Sequence, residues 1–305
     1  MEIELFVRSL IEKVNQVGRY STANVYRCAW NSYAQFAKNT ALTFEELTPE
    51  SMKKYEQSLF EKMLKHNSIS LYMRMMRSIC NQAVEEEVTE LSTTKLFVHV
   101  FTGNESTRKR AVKPSVIAQL SVAELDEHPL LAYSRDLFML SFYFQGIPFV
   151  DLAYLRKSDV TNGTIVYYRH KTEHKVTIVI ERCAQKIIDR YASQCATSIY
   201  LLPIITGVGE EGNLQYRSAL RVYNKRLNRI AEKLKLGEKL TSYSPRHSWA
   251  TTARKSGVPT SLISAGMGHA SEKMTLVYLD SFEDKTMSEA NKKVIAAITK
   301  ERKKA

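Results

Sequence analysis

Nowhere in the 305-residue sequence is there an apolar run approaching the roughly 18 residues that a membrane-crossing helix needs. The first six residues, Met1 to Phe6, carry no basic stretch leading into an apolar segment, so no secretory leader is expected and the chain is assigned to the cytoplasm. Cysteine is equally scarce. Cys28, Cys80, Cys183 and Cys195 are scattered, with no CxxC spacing and no neighbouring histidine pairs, which argues against both a zinc site and a disulfide framework. They are expected to be ordinary thiols, buried or partly buried, in a reducing compartment. With only 11 Gly and 7 Pro in a composition that is 44% hydrophobic, large disordered regions are not expected, and the length suits two compact, mostly helical domains.

Acidic residues are in deficit, and the deficit is local. The net charge is +12, yet residues 1–103 hold 12 Lys and Arg against 12 Asp and Glu. The excess falls in residues 104–114 (4 against 1), 115–280 (21 against 15) and 281–305 (7 against 4). A polyanion would be attracted to that part of the chain. Charge alone does not separate a nucleic-acid partner from an ordinary basic protein.

Residues 1–102 read as helices. After Ser21 and Thr22, the residues Val25, Ala29, Trp30, Tyr33, Phe36 and Ala37 recur at three- and four-residue steps, giving one apolar face. Thr48 followed by Pro49 opens a second helix, and a third runs from Ser68 to Ala83 with a Met73, Met75, Met76 stripe suited to filling core gaps. Arg74 and Arg77 share one side of it and could meet a phosphate backbone or face solvent. Residues 103–114, polar and rich in breakers, form a linker whose Arg108, Lys109, Arg110 and Lys113 would track a phosphate strand. Beyond it, helices are expected over 115–119, 134–143, 214–236, 248–256, 260–266 and 271–279. Residues 164–172 and 175–180 should form a β-hairpin. An amphipathic helix over 285–304, with Met287, Ala290, Val294, Ala297 and Ile298 at helical spacing, needs a surface to cover, which a neighbouring subunit could provide.

One motif can be set aside. Gly207, Gly209 and Gly212 match GxGxxG, but Glu210 and Glu211 would repel a pyrophosphate and no strand follows 214–236 to complete a βαβ unit, so a flexible loop is expected.

The segment before Asp280 carries more. Tyr243, Arg246, His247 and Trp249 are followed by Gly266, Gly268, His269 and, nine residues on, Tyr278. A phenol is a weak nucleophile at neutral pH, so a tyrosine that attacks phosphate needs cationic and acidic groups gathered around it. In order and spacing the segment resembles the closing signature of the tyrosine recombinases, the phage-integrase family. The resemblance extends over nearly the whole chain. It implies a mainly α protein with an N-terminal helical, SAM-like core-binding domain (1–102), the basic linker (103–114), a catalytic domain (115–284) with a small antiparallel sheet in the DNA breaking-rejoining fold, and a helical tail (285–305).

By that resemblance Tyr278 is the nucleophile, forming a 3′-phosphotyrosine and freeing a 5′-hydroxyl. Lys171, at the hairpin turn, is the general acid, and Arg246 and His269 stabilise the non-bridging oxygens. Arg169 joins Arg74, Arg77 and the linker cations as a DNA contact, while His247 and Trp249 are expected to pack beneath Arg246. The implied partners are double-stranded DNA, a homotetramer on DNA formed from free monomers or weak oligomers, and an accessory DNA-bending protein. Neither metal nor other cofactor is required, and the implied location is with the nucleoid.

Two positions depart from the pattern. Tyr243 stands where the family usually has histidine. The family's first arginine lines up with Pro148 or, in a subgroup with a shifted motif, with Gln145, although Asp151, Leu152 and the stretch from Leu155 to Asp159 keep the rest. Three outcomes stay open: Gln145 supplies neutral hydrogen bonds at reduced rate, Arg156 or Arg169 supplies the cation, or the protein binds and synapses DNA while cleaving poorly. A non-catalytic accessory protein and a topoisomerase-like relaxing enzyme are the alternatives to integration or inversion by recombination.

Overall fold

The structure, a computed structural model, describes residues 1–105, 107, 109–269, 271–278 and 292. Arg108 and, Lys292 apart, the expected C-terminal helix lie outside the described residues. The chain divides into two compact units, one made of residues 1–107 with 208–213, the other of residues 108–207 with the chain from Leu214 onward.

The first unit contains α1 (Ile3–Gln16), α2 (Tyr20–Ala37), α3 (Pro49–Glu61), α4 (His66–Glu85) and α5 (Thr93–Leu96). At α3 the expected start is explicit: Thr48 Oγ1 accepts from Ser51 N at 3.1 Å, and Ser51 Oγ accepts from Thr48 N at 3.1 Å. Trp30, Tyr33 and Ala29 of α2 are buried against Phe6 and Leu10 of α1 and Met73 and Met76 of α4, so the methionine stripe is core. Cys80 and Cys195 are buried, but Cys28 and Cys183 are exposed, contrary to expectation, because each falls on the polar side of its amphipathic helix.

In the second unit come α6 (Pro114–Ser121), α7 (Pro129–Tyr143) and α8 (Phe149–Tyr154), followed by β1 (Val160–Thr161), β2 (Thr164–Tyr168) and β3 (Lys175–Val179). Then follow α9 (Arg182–Tyr191), α10 (Gly209–Lys233), whose residues up to Asn213 count with the first unit, α11 (Ser244–Lys255), α12 (Thr260–Gly266) and α13 (Glu272–Leu276). The strands form an antiparallel meander in the order β1-β2-β3, with Ile165 opposite Ile178 and Tyr167 opposite Val176. Those four side chains are buried while their neighbours face outward, the alternation of a sheet with one covered face. The GxGxxG segment is not a loop throughout: Gly209 and Gly212 lie in the first turn of α10, where Glu210 and Glu211 suit the positive end of a helix.

Helix α7 begins five residues before its expected start, with Pro129 at its first position. Every residue from Ser134 to Ser141 is buried, whereas residues 129–133, which precede the expected start, are exposed or half-buried. Its buried Asp136 accepts from Arg135 Nε at 2.6 Å and Tyr191 Oη at 2.7 Å.

Candidate active site

Helix α11 starts at Ser244, four residues before the expected Ser248. Ser244 Oγ accepts from Thr241 N at 3.0 Å, and Pro245 occupies the first turn, where a missing N–H costs nothing. This start places Arg246 and His247 on the side of α11 that faces the core. Arg246 is only 2% exposed, and two of its three guanidinium nitrogens have hydrogen-bond partners. Nη1 donates to Gly146 O at 2.7 Å, and Nη2 donates to Met267 O at 2.8 Å and lies 2.7 Å from His269 Nε2. Its Nε is buried without a partner.

A guanidinium has no acceptor, so His269 Nε2 must be the acceptor in that last contact, which puts the ring proton on Nδ1. From there it is donated to Thr275 Oγ1 at 2.8 Å. Thr275 is fully buried, and its carbonyl accepts from Tyr278 N at 2.9 Å. One threonine therefore fixes the histidine through its side chain and the tyrosine through its backbone. The Tyr278 ring lies 5.2 Å from that of His269 and 4.6 Å from that of His247, with the Arg246 Cζ 5.4 Å from its centroid.

A second guanidinium is present. Arg169, at the end of β2, is 8% exposed; its Nη1 donates to Gly268 O at 3.0 Å and its Nε lies 3.4 Å from Asp151 Oδ2. Arg169, expected either as a DNA contact or as a cation that reaches into the site, is thus buried beside Gly268 and Asp151. Asp151 also accepts from His170 N at 2.9 Å, and the His170 ring stacks on Tyr154 at 4.7 Å, so α8 anchors the hairpin on which Arg169 sits. Burial pushes the Asp151 carboxyl up despite those donors and the Arg169 charge. Burial and then the neighbouring Arg169 hold the Arg246 pKa below its ordinary range.

Close glycines make this packing possible. A Cβ at Gly268, whose φ is +61°, would sit 2.6 Å from Arg169 Cδ, and one at Gly266 would sit 2.8 Å from Gln145 Oε1. Gln145, itself at φ 56°, thus directs its amide toward the Gly266 turn.

The other candidates differ in their surroundings. Lys171 is exposed at the hairpin turn and Arg156 is exposed beside the short 3-10 turn Lys157–Asp159. Tyr243 is 48% exposed, with the Arg110 guanidinium 5.5 Å from its ring centroid. Lys109 Nζ donates to Val277 O at 2.6 Å and Leu276 O at 3.3 Å, and Lys113 is exposed at the start of α6. In the first unit Arg77 lies 5.5 Å from the Phe97 centroid and Arg74 Nε donates to Ser70 O at 3.4 Å. Trp249 packs with Ile263 and Met267, whereas His247 lies against Tyr278 rather than simply beneath Arg246. Sequence reading passed over Thr275, whose three-residue spacing from Tyr278 was the available signal. Among the described residues no three His, Cys, Asp or Glu side chains gather as around a metal ion.

Both histidines are held uncharged. Burial, then Arg246 and Arg169, push His269 from 6.5 down to about 3, and burial, then Arg110, Lys109 and Arg246, push His247 down to about 4. Between those values and about 6.5 the unfolded chain binds more protons than the folded one, so stability rises with pH across that window. The thermal midpoint is accordingly expected to fall as pH is lowered from 6.5 towards 4, and His269→Asn should flatten the decline. A midpoint independent of pH over that range would contradict the buried, neutral assignment.

Residues 112–285 match the phage integrase family and residues 5–99 the phage integrase SAM-like domain. The chain belongs to the phage integrase family. As a tyrosine recombinase of that family it combines a SAM-like N-terminal domain with a mainly helical integrase catalytic domain and a small three-stranded antiparallel sheet. The lambda integrase dimer bound to a COC′ core site superposes with a TM-score of 0.66 at 14% identity, covering 93% of this chain and 100% of that one. The Tn1549 transposon integrase in complex with transposon right end DNA gives 0.62 at 13% identity, covering 97% and 100%. The lambda integrase tetramer bound to a Holliday junction gives 0.62 at 13% identity, covering 91% and 79%. At these identities the likeness shows the fold of this phage integrase family member. No protein of curated function matches the sequence.

Proposed function

We propose that the chain is a site-specific DNA recombinase that cuts and rejoins duplex DNA through a 3′-phosphotyrosine for integration or inversion. The observation that carries this reading is the orphaned Nε of Arg246, a buried donor beside Arg169, His269 and Tyr278 within a single unit. Burying an unpaired donor costs on the order of 1–3 kcal/mol, and two desolvated guanidinia near one another cost more. A phosphate with two non-bridging oxygens would satisfy both.

In the reaction the Tyr278 oxygen attacks the phosphorus and forms the new P–O bond as its phenolic proton passes to water. The bond to the 5′-oxygen breaks, and that oxygen leaves with a proton from Lys171. A 5′-hydroxyl then reverses the step on the exchanged strand. Because the phosphotyrosine conserves the free energy of the broken bond, no nucleotide or metal is consumed. Arg246 and Arg169 stabilise the charge on the phosphoryl oxygens, and Arg169 takes the place of the family's missing first arginine. Arg156 is the weaker candidate because it is exposed. His269, an acceptor from Arg246 in the free protein, becomes a donor when the phosphate's charge favours its protonated form. Lambda integrase, seen as a tetramer on a Holliday junction, supports assembly of four protomers on paired sites. Lys109, Arg110, Lys113, Arg74 and Arg77 add backbone contacts.

The test is covalent trapping. Duplexes selected by binding from a randomised pool are nicked beside the candidate phosphate, and the product is resolved under denaturing conditions. The wild type should yield a protein-DNA adduct and Tyr278→Phe none. Binding without an adduct, in the wild type and in Gln145→Arg alike, would instead make the protein a DNA-binding accessory factor.

A further inference from the structure

We propose that His247 is a positioning residue for the nucleophile: its imidazole packs on Tyr278, faces the carbonyl of that residue, and keeps the phenol beside Arg246 and His269 of the same subunit. The inference rests on Tyr278 being the nucleophile, as proposed above.

His247 follows Arg246 directly, so one helical turn of α11 fixes both. Its ring centroid lies 4.6 Å from that of Tyr278, at an interplanar angle of 44°. The Tyr278 backbone faces the ring closely enough to pull its pKa up against the effect of burial, and since Nδ1 is buried without a partner, the nitrogen turned to that carbonyl is Nε2. Four residues along the same face of α11, Thr251 Oγ1 approaches that carbonyl at 3.5 Å. The two preceding carbonyls, at the end of α13, accept from Lys109. A helix end leaves its last carbonyls without intrahelical partners, so their capture by side chains is what holds this short segment in place.

The protonation state matters. Arg246, Lys109 and Arg110 all press positive charge on His247, and it lies 8% exposed. An imidazolium there would oppose the cations that the phosphate must meet, whereas the neutral ring turns one N–H to the carbonyl and adds no charge. The Tyr278 ring is thereby held between two imidazoles, His247 through packing and its approach to the carbonyl and His269 at 5.2 Å. A displacement of about 1 Å in a reacting group can cost about a hundredfold in rate, so loss of this grip should be visible in the chemical step.

Three substitutions in the full-length chain separate the contributions. In His247→Gln the amide nitrogen reaches the place of Nε2, in His247→Asn it reaches only the place of Nδ1, and His247→Phe keeps the ring without a donor. Two readouts apply: amide hydrogen exchange at Tyr278 without DNA, and the single-turnover rate of adduct formation on the nicked duplex at saturating protein, with duplex affinity measured separately. Phe and Asn should speed exchange at least tenfold and slow adduct formation about a hundredfold with affinity changed less than twofold, while Gln stays within about fivefold of wild type in both. If Gln is as impaired as Phe, or if all three match wild type, the positioning role is wrong. If the wild type forms no adduct while exchange still separates Gln from Phe and Asn, the recombinase reading fails and the grip on Tyr278 stands.

Discussion

Arg169→Ala is expected to slow covalent adduct formation by about a hundredfold to a thousandfold, the loss typical of removing one preorganised donor from a site where charge develops. The expectation follows from the position of Arg169, whose side chain is buried and bonded to Gly268 O one residue before His269. A surface cation that merely tracked the DNA backbone would weaken binding instead and leave the rate at saturation untouched. The substitution has a second effect that must be separated from the first. Asp151 would lose its 3.4 Å ion-pair partner while remaining 3% exposed, and stranding a buried carboxylate costs roughly 3–5 kcal/mol. Arg169→Ala combined with Asp151→Asn removes that stranded charge while leaving an oxygen to accept from His170 N. The double variant should therefore regain stability without regaining rate. Arg169→Lys keeps the charge but loses the forked donor geometry and should fall between. Gln145→Arg, placed at the shifted first-arginine position of the family, should recover at least tenfold in the Arg169→Ala background. Single-turnover trapping decides the matter: Arg169→Ala reacting as fast as its parent would remove Arg169 from the chemistry and return the question to Gln145.

The same residues show how far the sequence could be read. Arg246, His269 and Tyr278 stand out in the sequence through resemblance to the family, and the structure brings their side chains together. A helix start, a tight glycine turn and one helical turn between Thr275 and Tyr278 fix most of their separation. Hairpin strands and the cap at Thr48 were legible directly, since alternation and capping are properties of neighbours in sequence. What stayed hidden depends on contacts between distant residues. Asp151 and Arg169 are 18 positions apart, and nothing in either segment says that one anchors the other. The packing of His247 is hidden in the same way, because Tyr278 arrives from the turn after a separate helix. Helix α7 starts five residues before Ser134 because Pro129 takes its first helical position, and the residues it adds, 129–133, are exposed or half-buried, unlike the fully buried stretch from Ser134 to Ser141. The early start of α11 is hidden because the polar residues of its first turn, Ser244, Arg246 and His247, are buried, a contact with distant segments that the sequence does not display.

Gly146→Ala should be the most disruptive small substitution in the catalytic unit, although it adds a single methyl group. At φ +73° an L-residue is strained by about 1–2 kcal/mol. The new Cβ would also stand 2.8 Å from the Arg246 Cα, 3.1 Å from its Cγ and 3.3 Å from its Cβ. Two of these three atoms cannot rotate away, because α11 fixes the Cα and Cβ. Relief therefore requires the Gly146 turn or the helix to shift, at a further cost of roughly 1–3 kcal/mol. Either shift breaks or stretches the 2.7 Å bond from Arg246 Nη1 to Gly146 O, which aims the guanidinium. The expected result is a stability loss on the order of 2–5 kcal/mol by denaturant unfolding, together with about a hundredfold slower adduct formation in whatever fraction stays folded. Gly257→Ala is the control, since its φ of +83° imposes comparable strain but nothing lies within 4 Å of the added carbon. It should cost about 1 kcal/mol and leave the rate unchanged. If the two variants unfold at the same denaturant concentration, Gly146 is required only for its backbone angle, and the close approach to Arg246 does not set the position of the guanidinium.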